Sequence, residues 1–168
     1  MKFTEAKQQF INSWGAFGTQ WGINRTMAQI HALLLVSPDP ITQDDIMEQL
    51  SISRGNVNMN IRDLIGWGLV ERVIVSGERK EYFSADKDIW KVATQIAKER
   101  KKRELDPMLK LLGQLEVIDG DKKNKEVKQF TEVVGNIKRL GTQTDKILNV
   151  MIKAEENWFS NSILKLFK

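Results

Sequence analysis

The chain has 168 residues, with 26 Lys and Arg against 22 Asp and Glu for a formal net charge of +4, and 41% of its residues are hydrophobic. This balance excludes wholesale disorder and supplies enough apolar material for a core, while the absence of cysteine excludes disulfides, thiolate zinc sites and cysteine nucleophiles. The longest apolar run, Ala32 to Val36, is too short to cross a bilayer, and Met1 to Lys7 lack the apolar segment of a signal peptide, so a soluble cytoplasmic protein with no membrane association is expected.

Phe3, Phe10, Ile11, Trp14 and Phe17 recur at helical spacing and predict a first helix with one apolar face. Gly15, Gly18 and Gly22 loosen the chain behind it. A second helix is predicted from about Asn24, burying Met27, Ile30, Leu33 and Leu34 and ending before Pro38 and Pro40. Thr42 followed by Asp44 and Asp45 reads as a cap with acids in the first turn, opening a short helix to Leu50 that buries Ile46, Met47 and Leu50. Ser51 to Ser53 make a tight turn, Ser53 caps a further helix to about Trp67, and Gly68 closes it.

The period then changes to two. Leu69 to Val75 and Lys80 to Ser84 read as two strands joined by Ser76-Gly77-Glu78-Arg79. Beyond Asp86 the pattern is helical again, with Pro107 marking a break or kink, a loop at Asp119-Gly120-Asp121, and amphipathic helices from Val127 to Phe167 interrupted near Gly141. Between Lys91 and Arg103 six basic residues stand against one acid, Glu99. Such a cluster suits phosphate or a solvated helix face equally.

Helices followed by a hairpin predict a mainly α fold with a small β-hairpin wing, a winged helix-turn-helix. The expected organisation is an N-terminal helix at 1–21, the winged helix at 22–87 and a helical region at 88–168, the first and last serving dimerisation. On the helix over 53–67, Val57, Ile61, Leu64 and Ile65 face the core. The opposite side presents Gly55, Asn56, Met59, Arg62 and Asp63, with Arg54, Asn58 and Asn60 on its flanks. Three asparagines are poor helix formers, and Asn and Arg are the side chains that read adenine and guanine edges in the major groove. Ser53 and the first amides of the helix suit a phosphate. The wing at 76–80 carries Arg79 and Lys80 toward a minor groove or a phosphate backbone.

The run Ile52-Ser53-Arg54-Gly55-Asn56-Val57-Asn58-Met59-Asn60-Ile61-Arg62-Asp63-Leu64, with Trp67-Gly68-Leu69-Val70 and Gly77-Glu78-Arg79-Lys80-Glu81-Tyr82-Phe83, resembles the GbsR-type branch of the MarR transcriptional regulators. Trp21 to Thr26 and Ile30 to Leu34 fit the same pattern, so the resemblance covers roughly residues 10 to 86. It implies a homodimeric repressor or activator whose two recognition helices read a pseudo-palindrome in double-stranded DNA. Carried over, Ser53, Arg54, Asn56, Asn58 and Arg62 become groove or phosphate contacts, and Arg79 and Lys80 wing contacts. A choline-type ligand, known in that branch, does not transfer with these motifs.

Trp14, Phe17 and Trp21 form the candidate pocket for a small-molecule effector, through cation–π attraction; core and dimer packing is the commoner use of such residues. No enzyme is expected. The single histidine, His31, lies in an apolar helix, and no phosphate loop, paired catalytic acids, cofactor motif or metal-ligand spacing is present. The rival function is a winged helix used for protein interaction or architectural binding without sequence specificity, and Met59 is the residue that favours it.

Overall fold

The computed structural model describes residues 1–20, 22–118 and 123–166, with side chains through 154 in the last helix. In chain order the elements are α1 (Phe3–Gln20), α2 (Arg25–Val36), β1 (Ile41–Thr42), α3 (Gln43–Leu50), α4 (Arg54–Gly66), β2 (Val70–Val73), β3 (Tyr82–Ala85), α5 (Ile89–Arg100), a π-helical turn (Lys101–Leu105), α6 (Asp106–Leu115) and α7 (Lys125–Leu166). They form two compact units, Met1–Val92 and Ala93–Lys168.

The first unit is built around α2, whose Ile30, Ala32, Leu33 and Leu34 are buried together with Ile46, Val57, Ile61, Leu64 and Phe83. Asn24 opens α2 by accepting the amides of Thr26 and Met27. α1 packs on α2 at glycine positions. A Cβ on Gly18 would stand 2.6 Å from Ala28 Cβ, so only hydrogen permits this approach.

The sheet has three strands in the order β1-β3-β2, all antiparallel, with Ile41 opposite Phe83 and Arg72 opposite Phe83 from the other side. The sequence predicts only the hairpin. β1 is two residues long, too short to show a period of two. The ladder of the hairpin is also shorter than predicted. It ends at Val73 and resumes at Tyr82, and the intervening wing turns at Gly77, whose φ is +86°.

α3 begins with a reciprocal capping box. The Thr42 hydroxyl accepts the Asp45 amide and the Asp45 carboxylate accepts the Thr42 amide. That bonding, the Thr42 hydroxyl first, holds the Asp45 carboxyl below the ordinary carboxylate range. α4 ends as predicted at Gly68, with φ +70°; the Leu69 amide bonds the Leu64 carbonyl and the Gly68 amide that of Ile65, a Schellman ending.

In the second unit the helix does not break at Pro107. The chain passes from α5 into α6 through the π turn at Lys101–Leu105, directly ahead of Asp106 and Pro107. The wider turn accommodates the missing proline N–H and the crowding of its ring against the preceding carbonyls. Gly141 does not interrupt either: α7 runs 42 residues through it. Gly141 is instead a contact point, where a Cβ would lie 2.8 Å from Leu109 Cδ2 of α6. Lys101 bonds Asp106 at 2.8 Å and Asp145 at 3.0 Å, which raises its pKa above the usual lysine value. The side chains of Trp158 and Phe159, and Phe167 altogether, lie outside the described residues, as do Asp119 to Lys122. Among the described residues no helix is long and apolar enough to cross a membrane, and no group of three or more His, Asp or Glu is placed to hold a metal ion.

Candidate nucleic-acid interface

The site is assembled from three short pieces of the first unit: the start of α3, the exposed face of α4 and the wing between β2 and β3. Ser53 caps α4, its hydroxyl accepting the Asn56 amide at 3.4 Å. Val57, Ile61 and Leu64 anchor the helix in the core. The opposite face leaves Arg54, Gly55, Asn58, Met59, Arg62 and Asp63 exposed, with Asn56 half-buried beside them.

Asn60 is the exception among the predicted contacts. It is 0% exposed, between Val57 and Leu64 on the core side of the helix. Its Nδ2 donates to the Asn56 carbonyl at 2.8 Å and to Asn56 Oδ1 at 2.7 Å, and its own Oδ1 has no partner among the described residues. The expectation that Asn60 flanks the exposed face is therefore corrected: the side chain is turned inward and cannot reach a groove without leaving the core. It acts on the surface only through Asn56, whose side-chain oxygen it holds.

Arg79 and Lys80 are exposed on the wing, as predicted. At the foot of the wing Arg72 Nη1 lies 3.1 Å from Glu81 Oε1, a cross-strand pair between neighbouring registers. Ile74, 94% exposed, is an apolar side chain on the same hairpin. The structure also joins elements in a way the sequence does not signal. Asp44 of α3 lies 2.6 Å from Arg54 Nη2 and 3.8 Å from Lys80 Nζ, and Gln43 Nε2 donates to the Arg54 carbonyl at 3.0 Å. These residues are ten or more positions apart, beyond any helical or strand periodicity.

A second arrangement ties the segment after β3 to the end of α2. Lys87 Nζ donates to the carbonyls of Leu34, of Leu35 at 3.1 Å and of Ser37 at 2.7 Å. It places a cation on the carbonyl end of α2, where the helix dipole favours positive charge, and its partial burial lowers its pKa. His31, in the same helix, is buried, and desolvation, with the Lys87 charge second, lowers its pKa to about 4. Nothing in the sequence distinguishes Lys87 from the surrounding lysines.

The predicted effector pocket is only partly described. Trp21 lies outside the described residues. Trp14 has its ring centroid 5.6 Å from Phe10 and 6.4 Å from His31, and Phe17 is exposed. Among the described residues Trp14 and Phe17 make no ring contact with each other.

Residues 21–81 match the model of the MarR family. The HTH-type transcriptional regulator MmpR5 of Mycobacterium tuberculosis is 29% identical over 76 residues, which are 45% of this chain. The match spans 46% of the length of that relative. A crystal structure described as a transcriptional regulator superposes with a TM-score of 0.55 at 18% identity, covering 83% of this chain and 95% of its own. Staphylococcus aureus MepR in its DNA-binding conformation gives a TM-score of 0.41 at 18% identity, over 80% of this chain and 95% of its own. The order of elements and the three-stranded sheet give the first unit a winged-helix fold, and the match to the MarR family model is confined to residues 21–81.

Proposed function

We propose that this chain is a homodimeric transcriptional regulator that reads a specific site in double-stranded DNA. In this reading α4 enters the major groove and the wing lies on the minor groove or the adjacent backbone. The single observation that carries it is the exposed face of α4: Arg54, Asn58 and Arg62 stand free of the core on a helix anchored by Val57, Ile61 and Leu64. Arg and Asn are the groups that recognise guanine and adenine edges in pairs of hydrogen bonds, and the cations Arg79 and Lys80 extend the same surface toward phosphate. The relative named above is itself a transcriptional regulator.

Dimerisation is supported by α7. Phe130, Val133, Ile137, Leu140, Ile147 and Met151 recur at alternating steps of three and four or seven, the spacing of a coiled-coil seam, and all are exposed in the single chain. Val134 and Gly141, on another side of the helix, are buried, so α7 carries one satisfied stripe and one open one. The placement within the GbsR-type branch rests on the Ser53 to Asn56 run together with Gly77 to Phe83.

The test is recovery of genomic DNA fragments by the purified protein at two salt concentrations. A shared inverted repeat that survives the higher salt is expected, because base contacts persist when phosphate contacts weaken. Recovery without a common site would leave architectural binding. A second reading, a winged helix that docks a protein, has Met59 and Ile74 in its favour, both exposed apolar side chains on this surface. It would take first place if no fragment were recovered.

A further inference from the structure

Asp44 meets two cations supplied by different elements. Its Oδ1 lies 2.6 Å from Arg54 Nη2 at the start of α4, and its Oδ2 lies 3.8 Å from Lys80 Nζ at the end of the wing. The neighbouring Asp45 is committed to Thr42 through the capping box, so Asp44 is the acid that Arg54 engages. All three side chains are more than half exposed, and ion pairs so exposed to water are weak and exchange readily. One carboxylate thus presents its two oxygens to two cations, as the two non-bridging oxygens of a phosphodiester would. The first amides of α4, which no carbonyl within the helix accepts, lie at the same end of the helix.

Building on the DNA-binding reading above, we propose that Arg54 and Lys80 form a single phosphate clasp joining α4 to the wing, and that Asp44 is its occupant in the free protein. Duplex binding exchanges the Asp44 carboxylate for a backbone phosphodiester. The exchange has two consequences. The acid keeps the two cations near each other before DNA arrives, and it must be displaced, so it lowers affinity for phosphate of any sequence. Because it already neutralises part of the clasp, fewer solution counterions are released on binding than the two cations would otherwise release.

Asp44→Asn keeps the shape and removes the charge. The measurement is the affinity of the full-length chain for a short fluorescent duplex across a salt series, with thermal unfolding as the control for folding. The Asn variant is expected to bind severalfold more tightly and to steepen the plot of log affinity against log salt by about 1. The same change made on a background of Arg54→Gln and Lys80→Gln is expected to have no effect. Unchanged or weaker binding by Asp44→Asn, while the wild-type chain binds duplex, would overturn the clasp and leave the DNA-binding reading standing. An equal gain on the doubly neutralised background would also overturn it, since the acid would then act through the general field of the surface. A wild-type chain that binds no duplex at low salt would sink the DNA-binding reading and the clasp together.

Discussion

Two positions apart on α4, Arg62 and Asn60 face opposite ways, and their substitutions should separate binding from stability. Arg62 is exposed on the anchored helix. Arg62→Ala should therefore weaken binding to the specific site by about 1–3 kcal/mol with little change in unfolding. Asn60→Ala should do the reverse. It removes two hydrogen bonds and leaves a small void in the core, and a cost of about 1–3 kcal/mol is expected in denaturant unfolding. A strong binding loss without destabilisation in Asn60→Ala would show that the side chain turns outward. His31 gives a pH dependence. Its pKa falls from 6.5 to about 4 on folding, because burial and then Lys87 disfavour the imidazolium. The unfolded chain thus binds more protons between those values, so stability is fully present above about pH 6.5 and is lost as pH falls toward 4. The gap corresponds to about 3 kcal/mol. His31→Leu should flatten the acid limb of unfolding free energy against pH; an unchanged limb would assign it to other groups.

At the scale of elements, the α1–α2 contact is set by small residues. Gly18→Ala improves helix propensity by about 1 kcal/mol, but the new methyl would meet Ala28 Cβ at 2.6 Å. That atom is fixed to the backbone of α2 and cannot swing aside, so the helices must separate. We expect a net destabilisation of about 1–3 kcal/mol, read as a lower midpoint in thermal or urea unfolding. A neutral or stabilised variant would show that α1 shifts without cost. The same logic explains why Gly141 lies inside an unbroken helix. A glycine in a helical pattern can mark an end or a close approach, and the sequence does not distinguish them. Leu109 on the neighbouring helix decides in favour of the approach.

At the scale of the whole molecule, the open seam on α7 calls for a partner. Leu140 is 66% and Ile147 61% exposed, and fully burying a large aliphatic side chain is worth roughly 1.5–3 kcal/mol. Light scattering at micromolar concentration should give twice the 19.3 kDa chain mass. Leu140→Glu combined with Ile147→Glu should reduce it to the single-chain mass, since two carboxylates would be desolvated in the seam. A wild-type chain of single mass would remove α7 as a dimer interface and leave the seam for another partner.

The local elements of this protein are determined by short-range chemistry and were legible in the sequence. Asn24, Thr42 and Ser53 cap their helices through side-chain oxygens two or three residues from the amides they accept. Gly68 and Gly77 turn where a positive φ is needed. The inward turn of Asn60 was missed, because its amide suggested base contact, although its spacing signals burial: it lies three residues after Val57 and four before Leu64, and alternate positions on a helix cannot share one face. What tertiary structure alone decided are the meetings between distant residues. Examples are β1 beside β3, Lys87 on the carbonyl end of α2, Gly18 against Ala28, and Asp44 between Arg54 and Lys80. Periodicity ranks the residues of one element by face, but it carries no record of which element lies opposite, because that choice is made by packing of the assembled core.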